Sequence, residues 1–144
     1  MTLLTLTPGN AATAVGVQGL LRRLIPKVWA AFPRARVRVR LDGGFATPAL
    51  FDELEAAGVD YVVAMAKNPV LEAAAAPWLA EARLQAERTG ASARVFGETR
   101  YQAKSWPHPR RAVIKAEVVV HPGRALRDNP RIVITNLRHG PERL

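Results

Sequence analysis

The sequence contains no cysteine in 144 residues, so a disulfide framework and a thiolate metal site are both excluded. It has no run approaching the roughly 18 apolar residues that a membrane span requires. Met1 to Asn10 has neither a basic n-region nor the apolar stretch of a signal peptide. These absences make a cytoplasmic protein with no membrane partner the expectation. Histidine is scarce and dispersed. His108, His121 and His139 sit in loops flanked by Pro or Gly, and no two share a helix face, so zinc is not expected. Gly43-Gly44 is too short for a dinucleotide or phosphate-loop fingerprint. No internal repeat and no linker divides the chain, which reads as one domain or part of one.

The most informative absence is acid in the first forty residues. Arg22, Arg23, Lys27, Arg34, Arg36, Arg38 and Arg40 meet no Asp or Glu there. Residues 41–93 reverse the balance, with three basic residues against eight acidic, and residues 94–144 return to eleven against four. The formal net charge is +9. Two basic blocks around an acidic middle suit a polyanion such as nucleic acid.

What is present reads as alternating elements. Thr2 to Thr7 has the look of a short strand ended by Pro8-Gly9-Asn10. Val17, Leu20, Leu21, Leu24, Ile25, Val28, Trp29 and Phe32 recur at three and four, which predicts a helix over 11–32. Pro26 predicts a kink or break near 22–25. Arg34 to Asp42 alternates strictly, so a strand should place Val37, Val39 and Leu41 on one face and arginines on the other. Thr47-Pro48 reads as cap and first turn of a helix closing at Gly58, and Asp60 to Ala66 as a buried strand. Strand, helix, strand at this spacing predicts a right-handed parallel crossover between 37–42 and 60–66. A further helix should run from Asn68-Pro69 to Gly90, interrupted at Pro77. Segments 93–106, 111–120 and 131–137 then read as antiparallel strands.

Asp42 is the residue most suited to chemistry. It ends a strand at the carboxyl edge, where α/β sheets gather ligands and metals, and two glycines leave it room. The plainer reading makes it a turn cap. Trp106, beside Lys104, Arg110 and Arg111, could stack a base, while Arg36, Arg38 and Arg40 form a row that could face phosphates. Thr135-Asn136 reads as a cap.

Several of these features occur together in one known family. Thr7-Pro8-Gly9-Asn10 before a helix, then Val39-Arg40-Leu41-Asp42-Gly43-Gly44-Phe45, resemble the core of bacterial insertion-sequence transposases with a DDE domain, group 1. Val62 through Lys67-Asn68, Trp106 followed by Arg110-Arg111, and Asn129-Pro130-Arg131 leading to Val133-Ile134-Thr135-Asn136-Leu137 continue the likeness over nearly the whole chain. The resemblance implies a partial ribonuclease H-like α/β core over 1–90 with a β-rich antiparallel insertion over 91–137. It further implies three carboxylates holding two Mg²⁺ (or Mn²⁺) ions for hydrolysis and transesterification of DNA, with Asp42 as both catalytic residue and metal ligand.

The chain departs from the family pattern in three places. The family's first Asp falls before residue 2, its Glu falls after Leu144, and Gly43 stands where Ser is common. Asp42 is thus the one triad member in this sequence, and the expectation is a fragment that binds no metal tightly and is inactive alone. The expected partner is DNA. The strand bearing the first Asp would lie beside the Asp42 strand, so its absence leaves an open edge and keeps self-association in view. Two other readings stand beside this one. The chain could be a non-catalytic DNA-binding module or inhibitor of transposition, or an unrelated Mg²⁺-dependent nuclease combining Asp42 with Asp60, Asp52 or Glu98.

Overall fold

The computed structural model describes residues 13–143; the strand expected at residues 2–7 lies outside them. In chain order the elements are α1 (Thr13–Ala31), β1 (Arg38–Leu41), α2 (Pro48–Ala56), β2 (Asp60–Ala64), α3 (Pro69–Thr89), β3 (Ala93–Tyr101), β4 (Arg110–Val119), β5 (Arg127–Asp128) and β6 (Arg131–Thr135). Single 3₁₀ turns occupy Gly43–Phe45 and Pro141–Arg143.

Local sequence explains most of the boundaries. The Thr47 hydroxyl accepts from the Leu50 N–H at 3.3 Å and starts α2, with Pro48 in its first turn. Asn68 Oδ1 accepts from the Leu71 N–H at 3.0 Å and does the same for α3. Gly90 ends α3 at φ 68°, a left-handed conformation that would strain a residue with a Cβ. The break expected in α1 at Pro26 is absent, and α3 likewise runs through Pro77. Both prolines are exposed while Leu21 and Ile25, or Leu71 and Ala75, are buried on the inner face. Packing of that face outweighs the lost backbone hydrogen bond.

One mixed sheet runs β1-β2-β6-β4-β3, with β5 paired to the outer end of β4. β1 and β2 are parallel, Arg38 opposite Asp60 and Leu41 opposite Val63, which is the parallel pairing the spacing predicted. The other pairings are antiparallel. The antiparallel strands do not form a separate sheet: β6 inserts between β2 and β4 and continues the parallel pair. β3 stops at Tyr101 rather than Trp106, because the chain leaves the sheet and turns Trp106 into the core.

All three helices contribute to the core on one face of the sheet. Tyr61 and Val63, Ala112 and Ile114, and Ile132 and Ile134 meet Leu21, Ile25, Leu50, Phe51, Leu54, Leu71 and Ala75 there. Val39 and Leu41 of β1 pack against the same cluster, so Arg38 and Arg40 point to the opposite face. That opposite face carries no long helix among the described residues; only the turn Pro141–Arg143 reaches β3 and β4. Among the described residues β1 ends the strand order.

One packing contact sets a close tolerance. A Cβ built on Gly97 of β3 would lie 2.2 Å from Cε2 of Trp78 on α3. The Gly97→Ala variant is expected to lose about 1–3 kcal/mol through overpacking, read as a lower urea midpoint with unchanged m-value. An unchanged midpoint would mean that the Trp78 ring moves aside freely.

Candidate functional site

Asp42 leaves β1 at its carboxyl end and is exposed. Its backbone is extended, at φ −83° and ψ 168°, and its Oδ1 accepts from the Gly43 N–H at 2.7 Å. Its carbonyl accepts from the Phe45 N–H at 3.1 Å. Asp42 therefore does cap the Gly43–Phe45 turn, and one carboxylate oxygen remains without a hydrogen-bond partner among the described residues. Gly43 brings this turn against the exit of β2: a Cβ there would be 3.3 Å from Ala66 N and 3.5 Å from Ala64 O. The two parallel strands thus end side by side, and Asp42 stands over their shared edge.

The other carboxylates weighed for a shared metal site lie elsewhere. Asp60 begins β2 level with Arg38, four residues back from Asp42, or about 13 Å along the strand. Glu98 is on β3, four strand spacings across the sheet from β1, or about 19 Å, and is ion-paired with Arg111. Asp52 is bound by Arg110, which enters the sheet at the end of β2 remote from Asp42. A nuclease site combining Asp42 with these residues is not assembled, because the parallel register and the strand order separate them.

A different cluster is assembled around Arg110. This guanidinium is 3% exposed and lies between the Phe51 and Trp106 rings, 5.0 and 5.2 Å from their centroids. Its Nε donates to Glu55 Oε1 at 2.7 Å and its Nη2 donates to Asp52 and Glu55. Tyr61 Oη also donates to Glu55 Oε1 at 2.7 Å, and His108 Nε2 lies 3.3 Å from Glu55 Oε2. Burial alone would raise the Glu55 carboxyl, but the hydrogen bonds from Arg110 and Tyr61 and the Arg110 charge outweigh it, so its pKa falls. Burial and the Glu55 carboxylate push the Tyr61 phenol up. Asp52, Glu55 and His108 bring ligand-type atoms within 4.8 Å of one another. The guanidinium already supplies the cation, and a metal would have to displace it or sit beside it. The cluster fits a structural clamp from α2 to β4 rather than a metal centre.

The residues expected to meet DNA divide into two groups. Arg36, Arg38, Arg40 and Lys104 are exposed. Trp106 is 4% exposed and packs edge-on against Phe51 and Tyr101 at 5.1 and 5.3 Å, so its ring has no free face for a base. Arg110 is spent on Asp52 and Glu55. Arg111 is spent on Glu98 and on the carbonyls of Leu137 and His139, which it ties down. All three are engaged within the protein, although the buried Nη1 of Arg110 has no hydrogen-bond partner among the described residues. Thr135 caps the turn that leaves β6, as expected, its Oγ1 accepting from the Leu137 N–H at 3.1 Å, and Asn136 does more than cap. Asn136 Oδ1 accepts from the Tyr61 N–H and its Nδ2 donates to the Val59 carbonyl, both at 2.9 Å, so the side chain extends the β2–β6 ladder past the strand end.

A parallel βαβ unit with a carboxylate at its strand exit, continued by antiparallel strands, defines an α/β domain of the ribonuclease H-like kind. The chain belongs to the family described as transposase DDE domain group 1, whose family model matches residues 1–144. Its function is that of a transposase catalytic domain, the family's partner is DNA, and the family generally uses divalent metal. No curated protein and no solved structure matches the chain. Among the described residues no helix is long and apolar enough to cross a membrane.

Proposed function

We propose that this chain supplies the middle carboxylate, Asp42, of the set with which a complete transposase hydrolyses and rejoins DNA, and that alone it binds DNA without cutting it. The exposed Asp42 carboxylate at the joint exit of β1 and β2 carries the reading. In the complete enzyme Asp42 would help hold divalent Mg²⁺ or Mn²⁺, which would supply charge stabilisation for phosphoryl transfer. Holding a pair of dications needs several negative ligands. Asp42 offers one, with an oxygen already engaged by Gly43, so this chain alone does not fit a two-metal site. Residues 1–90 would then be the core portion and 91–137 the insertion, with Arg36, Arg38, Arg40 and Lys104 available to phosphates.

The test is a mobility shift with terminal-repeat and unrelated duplexes, paired with a nicking assay in Mg²⁺ and Mn²⁺. Both duplexes should be retarded with similar affinity, and no nicks should appear above the protein-free control. Metal-dependent nicking that copurifies with the chain and disappears in Asp42→Asn would overturn the claim of inactivity.

A further inference from the structure

The charge blocks of the sequence divide only in part between the two sides of the sheet, since Arg22, Arg23 and Lys27 lie on α1, on the helix side. Acidic residues concentrate on α2 and α3, as Asp52, Glu53, Glu55, Glu72, Glu81 and Glu87. On the helix-free face Arg38, Arg40, Arg94, Lys115 and Arg131 outnumber the acidic Glu98 and Glu117 and stand among the apolar Val62, Phe96, Val113 and Val133, while Arg110 of β4 turns toward the helices. In register, Arg40 of β1 opposes Val62, and Arg131 of β6 opposes Lys115 of β4. Arg94 of β3 opposes Glu117 of β4.

Arg40, Arg94, Lys115 and Arg131 surround a hollow of about 320 Å³ floored by Val62, Phe96, Val113 and Val133. Lys115 is paired with Glu117 at 2.9 Å, and Arg94 lies near enough to Glu117 to help hold its carboxyl below the usual range, after the Lys115 and Asn129 hydrogen bonds. Glu142 borders the hollow from the Pro141–Arg143 turn. Arg40, Arg94 and Arg131 form no ion pair with any described residue.

We infer that DNA lies against this helix-free face, with Arg40, Arg94 and Arg131 on its phosphates, in a path that leads to the Asp42 edge. The inference rests on DNA being the partner and adds where it sits. Arg131 begins β6 where that strand adjoins the exit of β2, since the Met65 N–H donates to the Ile132 carbonyl at 2.9 Å. Arg40 and Arg131 therefore lie in rows on either side of Leu41 at the Asp42 edge, whereas Arg111, in the same row as Arg40, is already held by Glu98. From β1 to β3 the face is about 19 Å across, wider than the roughly 12 Å major groove, so phosphates on both flanks of a groove come within reach. Val62 and Val113 are already covered to 6% and 3% exposure, so little apolar surface is left there to attract a protein partner. Phosphate is the better complement.

The experiment compares the full chain with Arg94→Gln/Arg131→Gln and with Arg23→Gln/Lys27→Gln, an equal charge change on exposed positions of α1. Duplex binding is titrated from 50 to 200 mM salt, after circular dichroism and thermal melting confirm folding. The sheet-face variant should bind at least about tenfold more weakly, with a log–log salt slope shallower by about 1.8, two phosphates at 0.9 each. The α1 variant should keep the parent slope. A variant-free arm uses the parent chain: bound duplex should slow acylation of Lys115. Equal losses in both variants, or Lys115 acylated as fast with DNA as without, would overturn the placement while leaving DNA binding intact. Poly-glutamate displacing the duplex at equal charge concentration would also overturn it, by making the face a general acidic-chain surface. No retardation of any duplex by the parent chain would remove the DNA reading itself, and this inference with it.

Discussion

Asp42→Asn, made in a complete transposase that carries this segment, is expected to lower DNA cleavage and strand transfer together by on the order of 10³-fold while leaving terminal-DNA binding near its parent value. Metal ions contribute several kcal/mol of charge stabilisation to phosphoryl transfer, and about 1.4 kcal/mol corresponds to a factor of ten. Asn keeps the shape and the Gly43 hydrogen bond, because an amide oxygen accepts from that N–H as a carboxylate oxygen does. It removes the negative charge that holds a hard dication. Phosphate contacts come from cations rather than from this carboxylate, so binding should persist. The structure gives this variant a sharp alternative, since Asp42 visibly caps the Gly43–Phe45 turn. If capping were its whole role, Asn would serve equally well at that position and both activities would survive. Binding and cleavage measured on one preparation separate the two roles, because only loss of charge lowers cleavage without lowering affinity.

The parallel pair and its crossover were legible because period-two alternation in Arg34 to Asp42 and the cap signals at Thr47-Pro48 and Asn68-Pro69 are local. Local patterns form wherever they occur in a chain, and tertiary packing here agreed with them. Pro26 and Pro77 misled because proline's effect on a helix depends on what the rest of the helix buries, which spacing alone does not weigh. The Arg110 cluster was hidden for a related reason. Arg110 and Arg111 are adjacent in sequence and look alike, but on a strand they face opposite sides. One enters the aromatic core and the other fastens the 137–139 segment. The signal that could have separated them is the alternation Arg111, Val113, Lys115 against Ala112, Ile114, Ala116. It gives the small and branched apolar residues to the helix side and leaves Arg111 and Lys115 outward. The same alternation would have placed Arg131, Arg94 and Lys115 on one face of the sheet, which no linear charge count does.

Arg110→Met is expected to destabilise the chain by about 3 kcal/mol at neutral pH, the low end for breaking a buried ion pair. The low end applies because the Asp52 and Glu55 side chains are 50% and 28% exposed, so water screens part of the charge left behind. Met keeps an unbranched apolar stem between Phe51 and Trp106, which limits the packing loss to what the guanidinium contributed. The effect should depend on pH in a definite direction. In the parent, Glu55 has a lowered pKa, so its contribution is fully present above the ordinary carboxylate value near 4.3 and is lost as pH falls through the lower folded value. In the variant Glu55 is left without its cation, and its protonation relieves the uncompensated charge. The stability gap should therefore be widest at neutral pH and should narrow below about pH 4. A gap that stays constant in acid would reduce Arg110 to a spacer between two rings. Arg110→Lys should restore little, because one ammonium cannot match the fork that reaches both carboxylates. The folded Arg110→Met chain should also keep the parent's salt slope for DNA, since this guanidinium is occupied before any phosphate arrives. A flattened slope in that variant would return Arg110 to the DNA surface and require the clamp to open when DNA binds.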